Sequence, residues 1–136
     1  MGFFARALIV SSGMAGLIAP VHAADLTGPE IKALLSGKTV YVEATAASAS
    51  GRAGQGVIFW AEDGTALYKT PSGAIMHGKW EIKGNTNCTD WKERPNTACT
   101  RYDKAGDTIT VFDTVSGQIR AKILKTVPGN ADKLVP

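Results

Sequence analysis

Ile75-Met76-His77-Gly78-Lys79-Trp80-Glu81-Ile82-Lys83-Gly84-Asn85-Thr86-Asn87-Cys88-Thr89-Asp90-Trp91 is the stretch that decides the fold. From Ile75 to Lys83 polarity changes at every step: Met76, Gly78, Trp80 and Ile82 share one face, and His77, Lys79, Glu81 and Lys83 share the other. A period of two belongs to an extended strand with one buried side, because successive Cβ atoms point to opposite faces. Gly84-Asn85 is turn chemistry, and a second β-rich run follows from Thr86 to Trp91. The unit is therefore a β-hairpin with the Trp80 face inward and His77 outward.

The same grammar extends in both directions. Short β-rich runs near 38–45, 56–61, 65–70, 74–83, 86–91, 98–103, 107–115 and 118–126 are separated by Asp63-Gly64, Pro71-Ser72-Gly73, Arg94-Pro95-Asn96, Ala105-Gly106 and Ser116-Gly117. This predicts an all-β domain, an antiparallel barrel or sandwich of seven to eight strands joined mostly by hairpins. In the last strand parity turns Ile119, Ala121 and Ile123 inward and Arg120 and Lys122 outward. The connection at 46–55, built from Ala, Ser, Gly, Arg and Gln, is long and small-residued, and reads as a lid or a slack link. From Val127 onward, two prolines and a glycine predict a flexible tail over 127–136.

One helix is expected before the strands. Thr27 with Glu30 three residues later forms a capping box, Pro29 suits the first turn and Gly37 a C-terminal stop. Ile31, Leu34 and Leu35 make one apolar stripe. A helix this short is unstable alone and must bury that stripe. Val57-Ile58-Phe59-Trp60 is apolar on both faces and needs an outer cover, so the helix is expected to pack outside the sheet there.

The two cysteines fit a hairpin centred between Glu93 and Arg94, in which Cys88 and Cys99 stand directly opposite one another. Opposed residues of an antiparallel pair lie roughly 4.5–5.5 Å apart at Cα, within disulfide reach. Closing that loop contributes about 3 kcal/mol on a chain-entropy estimate. The same register puts Thr89, Trp91, Ala98 and Tyr102 in the core and turns Asp90 and Arg101 outward.

An oxidising compartment is expected from the N-terminus as well. Arg6 precedes an apolar run from Ala7 to Ala19, and Val21 and Ala23 supply the small residues that signal peptidase reads. Residues 1–23 read as a signal peptide, with a mature domain over 24–126 and then the tail. The apolar run is too short for a permanent bilayer span of about 18 residues or more, so no stable membrane anchor is expected after processing. The expected location is periplasmic or secreted, where paired cysteines oxidise.

The chain of 136 residues is one domain's worth, and its net charge of +3 is too slight and scattered for a nucleic-acid partner. Two His and two Cys make a zinc site of four such ligands barely possible on count alone, and no cofactor motif occurs. His77, left alone once His22 departs with the leader, has no obvious partner in the neighbouring sequence and reads as a solvated strand residue. Glu62 with Asp63, and Asp103 with Asp107, bracket tight turns that favour acidic residues anyway. Lys92, Arg94, Arg101 and Lys104 offer a weak anion-binding cluster on the disulfide hairpin. Trp60, Trp80 and Trp91 read as core.

Gly78-Lys79-Trp80, Cys88, Cys99-Thr100-Arg101-Tyr102 and Gly106-Asp107, within Leu26 to Ile123, resemble small exported alphaproteobacterial proteins of uncharacterised function. That resemblance implies a β-barrel similar in outline to the lipocalins. Lipocalins carry Gly-x-Trp on their first strand, whereas here it falls on about the fourth, so their ligand-binding role does not transfer. The function expected is non-catalytic binding of a small ligand, in the barrel or at its mouth, or of an envelope protein. The alternative is an interaction module such as an inhibitor of a secreted enzyme. No paired catalytic constellation argues for an enzyme.

Overall fold

The computed structural model describes Gly13 and residues 24–136. The expected leader, residues 1–23, otherwise lies outside the described residues. The elements are β1 (Ala24–Asp25), α1 (Gly28–Leu35), β2 (Lys38–Ala44), β3 (Gly54–Trp60), β4 (Thr65–Lys69), β5 (Ile75–Lys83), β6 (Thr86–Trp91), β7 (Ala98–Ala105), β8 (Thr108–Asp113) and β9 (Ile119–Pro128). Each strand from β2 to β9 pairs antiparallel with the next, and β9 returns to β2, giving an eight-stranded up-and-down barrel. All-β with a closed barrel is the architecture, which resolves the choice between barrel and sandwich. The Gly-x-Trp run lies on β5, the barrel's fourth strand.

Strand β1 lies outside the closed ring. It pairs with β7 through Ala24 opposite Lys104 and Asp25 opposite Asp103, and Arg101 ties both carboxylates, Asp25 and Asp103, at 3.0 Å. Leu26 then donates its backbone N–H to the Tyr102 carbonyl and leads into α1.

The helix forms as its cap dictates, with the Glu30 backbone N–H donating to Thr27 Oγ1 and the Thr27 backbone N–H donating to the Glu30 carboxylate. Its position differs from the sequence expectation. α1 touches β2 on one wall and β5 and β6 on the opposite wall, and therefore spans the end of the barrel instead of lying on its outer face. Ile31 and Leu35 are fully buried in the same core as Val40, Trp60 and Trp80. Each such side chain contributes roughly 1.5–3 kcal/mol. At its N-terminus α1 presses on the β5–β6 turn so closely that a Cβ on Gly28 would lie 2.2 Å from the Gly84 carbonyl oxygen.

The cover on the outer wall comes from the other end of the chain. β9 runs to Pro128, two residues beyond the expected end, and the segment after it is packed where a loose tail was expected. Thr39 Oγ1 donates to the Gly129 carbonyl and accepts from the Ala131 N–H, Tyr41 Oη donates to Asp132, and Leu134 is buried. Thr39 stands opposite Phe59 on β3, so this segment lies beside the apolar outer face of the 57–60 run.

Two bulges in β9 break simple alternation. Ala121 pairs with Val111 but Ile119 with Phe112, which makes Arg120 an extra residue; Leu124 is extra in the same way against β2. Ile119, expected inside, is consequently 40% exposed, while Arg120, expected outside, turns to the barrel mouth.

The cysteine register is as expected. Cys88 opposes Cys99 and the two are bonded, with Cα atoms 4.0 Å apart. Trp91, Tyr102 and Thr89 are buried on the inner face. Cys88 is buried too, although its strand position faces outward.

Candidate functional site

Because α1 closes one end, the opposite end is the barrel's mouth. Four connections ring it: 45–53, 70–74, 92–97 and 114–118. The first is no slack link. Thr45 anchors it by donating its Oγ1 to the Ile119 carbonyl and its N–H to the Arg120 carbonyl. Successive turns follow, with Ser48 N–H donating to Thr45 and Gly51 N–H to Ser48. The segment then crosses toward the β6–β7 connection, where Arg94 Nε donates to the Ala49 carbonyl at 2.5 Å. Ala49 packs against the core, which a methyl side chain allows without blocking the opening.

Below this crossing lies an apolar cavity of about 70 Å³. Trp60 and Trp91 form part of its wall with Tyr68 and Val42, and Leu35 of α1 provides its floor. That volume is under half that of an engineered cavity known to take benzene, at about 150 Å³, and far below the roughly 300–1,000 Å³ of drug-sized sites. Three indoles explain the filling: Trp80 meets Trp60 edge to face with centroids 5.5 Å apart, and Trp91 lies 6.2 Å from Trp60. Glycine makes room for a fourth ring, since a Cβ on Gly56 would stand 2.6 Å from Tyr68.

A wider groove of about 360 Å³ opens above the cavity, and Trp91, Ala98, Ala49 and Arg120 belong to both. Arg120 is 14% exposed and its Nη1 donates to Asp113 Oδ2 at 2.8 Å. Asp113 is held by more than the arginine. The backbone N–H groups of Ser116 and Val115 donate to its Oδ1 at 2.8 and 2.9 Å. Those bonds, the Ser116 one foremost, together with Arg120 hold the Asp113 carboxyl below its ordinary range despite partial burial. The turn thus fixes the carboxylate, and the carboxylate fixes the arginine.

Two polar atoms in the interior lack hydrogen-bond partners among the described residues: Trp60 Nε1 and Asn87 Oδ1. Asn87 spends its amide on Tyr102, donating Nδ2 to the phenol oxygen at 3.2 Å. Burial pushes the Tyr102 hydroxyl up, so it remains a neutral phenol. Trp80, by contrast, has a partner, donating Nε1 to the Ala61 carbonyl at 3.0 Å.

His77 has a partner that the neighbouring sequence did not supply. The β6–β7 connection folds back so that the Lys92 N–H donates to the His77 carbonyl, bringing Glu93 alongside. His77 Nδ1 lies 2.7 Å from Glu93 Oε1, and the His77 N–H donates to both carboxylate oxygens at 3.0 and 3.1 Å. Partial burial raises the Glu93 carboxyl, but the His77 bonds outweigh it and the net shift is downward. The pair lies on the outer wall, apart from the cavity. No cluster of three or more His, Cys, Asp or Glu able to hold a metal occurs among the described residues.

The remaining sequence candidates separate. Lys92 and Arg94 belong to the mouth, whereas Arg101 and Lys104 lie toward the α1 end with β1, so the expected four-residue anion cluster does not assemble. Asp63 caps its own turn, accepting from the Thr65 N–H and Oγ1. Asp103 is taken up by Arg101. Trp60, Trp80 and Trp91 are all buried, as parity required. Arg120 was the residue missed. Nothing in the sequence marks a bulge there, and inside-outside counting fails wherever a strand gains a residue.

Comparison with protein families, curated proteins and solved structures finds no match to this chain.

Proposed function

We propose that this is an exported, non-catalytic binding protein that takes a small ligand at the barrel mouth. The observation that carries the reading is an apolar cavity beneath the mouth, floored by Leu35 of α1 and overhung by the 45–53 crossing, with one arginine at its rim. A disulfide accords with an oxidising compartment, and no helix among the described residues is long and apolar enough to cross a membrane. The mouth provides a shaped apolar surface with few polar groups, the usual composition of a small-molecule site.

Native mass spectrometry of protein purified from its own envelope tests this. A non-covalent adduct is expected on the wild type and should vanish in Ala49→Trp, which fills the opening. An adduct that survives Ala49→Trp would move the site away from the mouth.

A second reading, as an interaction module such as an inhibitor of a secreted enzyme, draws on Val115. It is 95% exposed on the turn that Asp113 clamps, an apolar side chain held out on a fixed backbone. Val115→Asp would abolish partner binding under that reading and leave the small-ligand adduct intact.

A further inference from the structure

Resting on the mouth reading, we propose that the ligand is a small monoanionic acid, a carboxylate on a short body, and that Arg120 recognises its head.

Charge at the groove supports a single negative head. Its lining holds two cations, Arg94 and Arg120, against one anion, Asp113. The surplus of one positive charge stands among Trp91, Ala98 and Ala49, whose low polarity strengthens attraction to a carboxylate relative to open water. Asp113 does not extinguish that field, because two backbone donors of its own turn share it with the arginine.

Unspent donors support Arg120 as the recognising group. A guanidinium offers five N–H donors in a planar fork. Among the described residues the Arg120 guanidinium donates one hydrogen bond, from Nη1 to Asp113, while the side chain contributes to the wall of both the groove and the cavity below. The bulge that makes Arg120 an extra residue in β9 aims it there. A carboxylate in the groove meets a fork already held on one side and unused on the other, the arrangement that favours bidentate recognition.

Size limits the body. The space beneath the mouth is small, about 70 Å³, which favours a short aliphatic segment over a long acyl chain.

The test titrates the full exported chain with valerate, levulinate, pentanol, pentylammonium and tetradecanoate, reading indole fluorescence and Tm. Valerate and levulinate should bind saturably; the alcohol, the ammonium and the long acid should not. Arg120→Gln should weaken both acids about tenfold or more. Should that variant not fold, Arg120→Lys keeps the charge, lacks the fork, and should still weaken both. Equal binding of pentanol and valerate, or acid binding unchanged in a folded Arg120 variant, overturns the proposal. If a neutral or cationic compound binds and Ala49→Trp blocks it, the mouth reading stands and the acid preference fails. If none of the five binds while the native adduct persists and is lost in Ala49→Trp, the acid preference again fails alone.

Discussion

Gly56 is where a single hydrogen atom sets the packing of the barrel. An added methyl would stand 2.6 Å from the Tyr68 ring, so Gly56→Ala should cost about 1–3 kcal/mol by overpacking, read from urea unfolding. Gly73 meets nothing within 4 Å, and there Ala should lose only about 1 kcal/mol for its positive φ of 90°. Trp80→Ala empties a buried indole and strips the Ala61 carbonyl of a donor; an unfolding midpoint equivalent to a loss of about 3–5 kcal/mol is expected. Asp113 governs acid behaviour. Its folded pKa lies below the unfolded one, so its contribution is complete above about pH 4 and is lost as pH falls through the depressed folded value. The Tm gap between wild type and Asp113→Asn should therefore be widest above pH 4 and shrink in stronger acid. At this scale the sequence was readable wherever alternation ran unbroken: Met76, Trp80 and Trp91 are buried as parity requires. Arg120 and Ile119 were not readable, because a bulge shifts parity without altering any residue that parity counts.

Among the elements, the β6–β7 hairpin was legible to the residue. One turn centre fixed the register, and the register fixed the disulfide and the inward Trp91 and Tyr102 together. Replacing both cysteines with Ser should lower stability by about 2–4 kcal/mol without changing the circular dichroism spectrum. The helix was legible as a helix but not as a plug, since its apolar stripe states that it must be buried and is silent on where. The C-terminal segment was misjudged for a similar reason: Pro and Gly count against strand or helix, not against a chain laid down by hydrogen bonds from Thr39. Ending the protein at Pro128 should remove Leu134 from its contacts and cost about 2–3 kcal/mol in chemical denaturation, where a free tail would cost nothing. Shortening the 45–53 crossing should lower Tm slightly, because Ala49 is its one contribution to the core.

At the scale of the whole molecule, a closed ring is only as continuous as its weakest seam. β2 and β3 share seven registered pairs, from Lys38 opposite Trp60 to Ala44 opposite Gly54, whereas β6 and β7 share three. The middle pair of those three is Cys88 with Cys99. Below Thr100, β7 leaves β6 and takes β1 as its neighbour, so the covalent bond stands where the ring has least backbone pairing. Were that seam to part, β6 and β7 would each present N–H and C=O groups free to pair with another molecule. A sheet edge of that kind is a template for intermolecular addition. By fastening the ring at its thinnest join, the disulfide keeps those two margins from a neighbouring copy.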